Sequence, residues 1–264
     1  MESLKDLLDE AWETLEAGRP DETLAQLAQV DELDEAGDDV LGERWLIESL
    51  AWTELGDGKL AGQALGRAEG HLGSDEPSLA YARGQWHLAA WRVAEARREF
   101  ERLDAEPNCL ERLALCADLE DDPERADMLL AEAARLDPDG FPLPPRLTED
   151  EFQAVVEEAA GRLPEPLRAP LETIPVIVDD MPTKELCGGL APDLLGLCSG
   201  ASALTTSVFD GIDEPARIFL FRRNLLRSCR DLDQLREEIH VTLYHELAHA
   251  LGFEEEEMDS LGLE

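Results

Sequence analysis

At 264 residues the chain is too long for one small domain and suits one large domain or two modest ones; 44% hydrophobic residues are enough for a buried core, which argues against wholesale disorder. A formal net charge of -38 repels phosphate backbones and anionic lipid heads, so neither nucleic acid nor a membrane surface is an expected partner, while metal cations and basic peptides are drawn in. Five cysteines, Cys109, Cys116, Cys187, Cys198 and Cys229, form no CxxC pair, which argues against a cysteine zinc site or a disulfide framework and for reduced thiols in a cytoplasmic protein.

The first stretch, MESLKDLLDEAWETL, is acidic and amphipathic and lacks the basic start and apolar core of a signal peptide. Residues 1–137 show helical spacing of apolar residues broken by Gly, Pro and Asp, with almost no strand signal. They also repeat. Ala11-Trp12-x-x-Leu15-x-x-Gly18 recurs as Ala51-Trp52-x-x-Leu55-x-x-Gly58; Leu88-x-x-Trp91 before AEARREF and Leu119-x-x-Asp122 before PERADMLLAEAARLDP are looser copies. The spacing is near the roughly 34 residues of a helix-turn-helix repeat, each of which buries one face only by stacking on its neighbour. In that scheme Ala11, Ala51 and Ala126 let paired helices approach closely. The pattern resembles tetratricopeptide repeats, which implies an all-α array that binds a peptide or protein partner on a concave face; the plainer alternative is a helical domain that only packs.

Asp137-Pro138-Asp139-Gly140-Phe141-Pro142-Leu143-Pro144-Pro145 cannot continue a helix, so 138–146 reads as a proline-rich linker between two domains. Beyond it, Thr148 with Glu151 opens a helix to Leu163. Ile174–Val178 and Arg217–Phe221 read as strands, 182–215 mostly as loop, and Asp231 with Gln234 opens a long helix to Leu251. The fold class expected is therefore α+β, an all-α repeat domain followed by a small α+β domain.

The long helix carries His245-Glu246-Leu247-Ala248-His249. Two histidines four apart lie on one helical face about a turn apart, so both imidazoles can reach one metal. Glu246 is placed to take a proton from a water held by that metal and return it to a leaving amine. Chance produces such a pattern in a histidine-poor chain of this length on the order of once in a hundred. Leu232, Ile239, Leu243, Leu247 and Ala250 form an apolar stripe, with the two histidines nearly opposite. Gly252 can take the left-handed turn that sends the chain back toward the metal. HExxHxxGxx then puts Glu255 in the third ligand place, although the run Glu254–Glu257 leaves the register open and a solvated acidic turn is the alternative. Met258 reads as a helix-face core methionine. His240 points elsewhere, and His71 and His87 have no nameable partner.

LTEDEFQAVVEEAAGRLPEPL, IPVIVDDMP, DLLGLCSG, ARIFLFRRNLLRSC and TLYHELAHALGFEEEEMDSLGL, in that order, resemble the bacterial minimal zincin-like metallopeptidase family over residues 147–264. The resemblance implies a metzincin-type site: Zn2+ held by His245, His249 and the acid at Glu255, with Glu246 as general base and a peptide or protein as substrate. Aspartate is the commoner acid at the Glu255 place, and Cys198 stands where the family pattern usually has tyrosine. It also implies that Arg217–Phe221 lies beside the cleft and pairs with extended substrate. The alternative is a non-catalytic scaffold in which the repeats bind a partner and the zinc site is structural or inactive.

Overall fold

The structure is a computed structural model that describes residues 4–30, 37–200 and 215–253. It divides into two compact units, Met1–Leu136 with Gly189–Ala191, and Asp137–Gly188 with Pro192–Glu264.

The first unit is helical: α1 Leu4–Glu16, α2 Pro20–Val30, α3 Asp38–Glu54, α4 Gly58–Leu72, α5 Pro77–Ala89, α6 Val93–Phe100, α7 Pro107–Leu119 and α8 Pro123–Leu136. They pack as successive pairs, α1 on α2, α3 on α4, α5 on α6 and α7 on α8, and α2, α4 and α6 each touch the first helix of the next pair. Every pair closes in the same way. A left-handed residue, Gly18, Gly56, Trp91 or Asp121, follows the first helix at φ between 59° and 77°. Its N–H donates three residues back (Gly18 to Leu15 O, Gly56 to Thr53 O), and the next residue's N–H donates five back (Arg19 to Thr14 O, Asp57 to Trp52 O); Trp91–Arg92 and Asp121–Asp122 repeat both bonds. This double closure satisfies the last carbonyls of the helix and turns the chain sharply.

Counting from the left-handed residue aligns the four pairs. Seven positions before it stand Ala11, Ser49, Gly84 and Ala114, and five after it Thr23, Ala61, Ala96 and Ala126, all buried. These small residues are where paired helices cross: Ser49 Oγ donates to Ala61 O at 3.0 Å, and a Cβ on Gly84 would lie 2.4 Å from the ring of Phe100. The repeat register expected from spacing is corrected here. Gly18 corresponds to Gly56 and not Gly58, and Ala11 to Ser49 and not Ala51, because in Gly56-Asp57-Gly58 it is the first glycine that turns left-handed. Ala51 is nonetheless fully buried, and Ala126 occupies a crossing position.

The second unit begins with α9, Glu149–Arg162, closed by a capping box in which Thr148 Oγ1 accepts from Glu151 N and the Glu151 carboxylate accepts from Thr148 N. A short α10, Glu165–Arg168, and a 3₁₀ turn, Ala169–Glu172, lead into β1, Val176–Asp179. Then come α11 Lys184–Cys187, β2 Gly196–Ser199, β3 Arg217–Phe221, α12 Arg222–Ser228 and α13 Leu232–Leu251. The sheet order is β1-β3-β2, with β1 parallel and β2 antiparallel to β3. The unit is α+β.

Two expectations are corrected. The segment 182–215, read mostly as loop, contains α11 and β2 among its described residues. Gly196-Leu197-Cys198-Ser199 has no β-branched residue, and its strand character comes from pairing with β3. And β3 does not line a substrate cleft with a free edge: it is the central strand, bonded on both sides, with Ile218–Phe221 buried. α13 packs on α9, β2 and β3 through Leu235, Ile239, Leu243, Leu247 and Ala250, all fully buried. Leu232, at the first helical position, is 43% exposed and lies outside the stripe, because spacing does not tell where along a helix its packing neighbours begin.

Candidate metal centre

Both ends of α13 are fixed by local chemistry. Asp231 caps the start, its Oδ1 accepting from Asp233 N and Gln234 N, while Gln234 Oε1 accepts from Arg230 N at 2.9 Å. At the other end Gly252 takes the left-handed conformation, φ 89°; its N–H donates to His249 O and the Phe253 N–H to Ala248 O. The helix is thereby held rigid through the turn that carries the histidines.

His245 Nε2 and His249 Nε2 face each other at 3.1 Å, with ring planes at 82°. Both residues are half-buried. At that separation one ring's N–H can donate to the other, or both lone pairs can share one cation. Two nitrogens each about 2.0–2.1 Å from a tetrahedral zinc stand roughly 3.3 Å apart, so the pair fits zinc with little movement. Glu246 is buried, 8% exposed. His240 is turned away, its Nδ1 3.3 Å from Ala159 O on α9. Among the described residues no third His, Cys, Asp or Glu joins the two imidazoles in a metal-holding group. Glu255, with Glu254, Glu256, Glu257 and Met258, lies outside the described residues.

β2 forms the wall beside Glu246. A Cβ on Gly196 would lie 2.6 Å from Thr242 Cγ2 and 2.9 Å from Glu246 Cγ, so only glycine lets the strand lie this close to α13. Asn224, buried on α12, holds the approach to β2, its Nδ2 donating to Pro192 O at 3.0 Å and Leu194 O at 2.7 Å, while Phe221 N donates to Leu195 O. Cys198, on the same strand, has its thiol pushed up to about 11, first by burial and then by the negative charge of Glu246. Sequence reasoning missed Gly196 and Asn224. A glycine between leucines marks a close backbone approach only once the segment is known to be a strand, and β2 was read as loop; for Asn224 there was no signal.

Elsewhere all five cysteines are free; burial pushes Cys109 up to about 11 and Cys116 to about 12. His71 Nδ1 lies 3.0 Å from Asp38 Oδ1. No described helix is long and apolar enough to cross a membrane.

Residues 171–263 match the family model described as Zincin-like metallopeptidase, a span that includes the whole sheet, α13 and the residues His245, Glu246 and His249. The C-terminal unit is zincin-like over that span, and the similarity points to a zinc-dependent peptidase function. The helical unit lies outside the match. No curated protein matches the chain.

Proposed function

We propose that this protein is a zinc-dependent peptidase whose C-terminal unit is catalytic and whose N-terminal unit is a tetratricopeptide-like array that recruits substrate or a partner protein. The observation that carries the catalytic part is the pair of Nε2 atoms 3.1 Å apart on the helical turn that also holds a buried Glu246. His245 and His249 are two ligands; Glu255 is the third by its HExxHxxGxx spacing. Zinc, when bound, polarises the scissile carbonyl and acidifies water. Glu246 takes the proton of the attacking water and hands it to the departing amine. β2, an edge strand of the described sheet packed against Glu246, offers its outer backbone edge to an extended peptide, which takes over the role first expected of Arg217–Phe221. The identical turn closures and the small crossing residues of the four helix pairs support the repeat assignment.

Metal analysis joined to a peptide-library cleavage screen tests the reading. The expected result is about one zinc per chain, lost in His249→Ala, and in Glu246→Gln zinc retained but hydrolysis abolished. Cleavage by Glu246→Gln at the parent rate rules out the proposed role of Glu246. A second reading, a partner-binding scaffold with a non-hydrolytic zinc site, draws on Cys198, a neutral thiol at the β2 edge where the resembling family usually has tyrosine. Zinc retained with no peptide cleaved by the parent protein selects it.

A further inference from the structure

The first unit carries a groove of about 710 Å³ on one face of α1, α3 and α5, closed at one side by the segment that joins α6 to α7. Its floor is aliphatic, with Leu15, Leu46, Leu50 and Ala80; Trp12 and Tyr81, both half-buried, stand as aromatic walls. Its rim is predominantly acidic: Glu16, Glu54, Asp75, Glu76, Asp104 and Glu106. Among the described lining residues the one cation is Arg102, which is tied to Glu99 at 2.9 Å.

We infer that this groove binds a basic segment of a partner protein, one in which Lys or Arg flanks a large apolar side chain. This rests on the recruiting role proposed for the unit and names the chemistry of what is recruited. The floor side chains are nearly buried, so the apolar surface that the groove offers comes chiefly from the half-buried Trp12 and Tyr81, and an aliphatic or aromatic residue gains by covering it. Carboxylates around a low-dielectric floor focus a negative potential that draws cations in and repels anions. The indole face of Trp12 adds to the attraction for Lys and Arg, whereas the Tyr81 hydroxyl is already bonded to Arg112. A second copy of this chain, at -38, is repelled from such a rim. Charge complementarity therefore selects a basic peptide.

Anisotropy of short labelled peptides, alternating Lys–Leu, Lys–Ser and Glu–Leu, titrated with full-length protein tests this; Glu246→Gln in every preparation spares the peptides from hydrolysis. Lys–Leu is expected to bind most tightly, Lys–Ser more weakly for lack of an apolar anchor, and Glu–Leu least. Neutralising the exposed Glu16, Glu76 and Glu106 to Gln leaves the fold intact, since neither Glu76 nor Glu106 caps its helix through the side chain. That triple variant is expected to weaken Lys–Leu binding about tenfold, as three partly screened ion pairs are lost. A triple change of equal charge at the exposed Asp21, Glu95 and Glu124 of the same unit, none of which lines the groove, is expected to alter it by less than about twofold. Equal loss in the two triples, or Glu–Leu binding as tight as Lys–Leu, overturns the inference while recruitment of peptides stands. Absence of binding by every peptide to folded protein overturns both the inference and the recruiting role.

Discussion

Gly196 sets how closely β2 approaches α13, so the smallest possible change there reaches Glu246 directly. A methyl group would lie 2.6 Å from Thr242 Cγ2, 2.9 Å from Glu246 Cγ and 3.2 Å from the carbonyl oxygen of Phe219. Backbone on one side and buried side chains on the other leave little room to yield, so either β2 or the carboxylate moves. A displacement near 1 Å at a reacting group costs on the order of a hundredfold in rate. Gly196→Ala is therefore expected to cut peptide cleavage by tenfold or more, by order of magnitude, while zinc content stays at the parent value, because the atoms nearest the new methyl belong to Thr242, Glu246 and Phe219 and to neither histidine. Equal losses of zinc and activity would mean that the strand supports the whole helix and not Glu246. Two positions along the same strand, Cys198 reports the charge of Glu246. With its thiol pushed up to about 11, by burial and then by that carboxylate, only about one molecule in a thousand carries the thiolate at pH 8. Alkylation of Cys198 in chelator-treated protein, followed by mass spectrometry, should be slow at pH 8 and rise about tenfold per pH unit toward pH 11. Glu246→Gln removes the carboxylate charge, lowers the thiol and speeds the reaction; an unchanged rate in that variant would show that burial alone raises it.

Among the helices, glycines at different positions carry opposite expectations for the same substitution. In open helix, Gly→Ala stabilises by about 1 kcal/mol through backbone entropy. Gly66 and Gly70 on α4 are exposed, with nothing within 4 Å of an added Cβ, so Gly66→Ala and Gly70→Ala should each raise the unfolding free energy by about that amount. Gly84 on α5 faces the fully buried ring of Phe100, where an added Cβ would lie 2.4 Å from Cε1. Overpacking of that kind costs about 1–3 kcal/mol and outweighs the propensity gain, so Gly84→Ala should destabilise. Denaturant titration of the three variants reads both signs; stabilisation by Gly84→Ala would mean that the α5–α6 crossing is not close-packed. The legibility of the elements in the sequence follows the same division between local and tertiary causes. The Thr148–Glu151 box, the Asp231 cap and the Gly252 terminus follow from side chains within a few residues of each other, and all three lie where spacing placed them. β2 was not legible, because what makes Gly196–Ser199 a strand is β3, which lies beyond it in the chain. Nor was the repeat register, since either glycine of Gly56-Asp57-Gly58 satisfies the local rule and only the hydrogen-bonded turn chooses between them. α12 follows β3 without a break and gave no separate signal, although its Asn224 fixes the approach to β2.

For the whole molecule, the division into two units was legible because they have unlike periodicities, and the histidine pair was legible because the i, i+4 spacing survives any packing so long as the helix is intact. The fit of the two Nε2 atoms to one cation needed coordinates, since spacing does not fix rotamers. The division also has a thermodynamic consequence. The main core of the helical unit, around Leu27, Ile47 and Leu79, and that of the other unit, around Phe152, Leu220 and Leu243, each draw on their own unit's residues. All five tryptophans, Trp12, Trp45, Trp52, Trp86 and Trp91, belong to the helical unit, so tryptophan fluorescence follows that unit, Trp91 through its bond to Leu190 O also the segment 189–191, whereas helical circular dichroism reports both units. A ligand stabilises what it binds: zinc at a hundred times its dissociation constant adds about 2.7 kcal/mol to the unit that holds it. Zinc, with His245 and His249 intact, is therefore expected to delay the part of the dichroism transition that fluorescence does not see and to leave the tryptophan transition in place. A chelator should reverse the shift, and His249→Ala should abolish it. If tryptophan fluorescence moves with zinc by the same amount as dichroism, the two cores unfold as one cooperative body and the metal stabilises the helical unit as well as the unit that holds it.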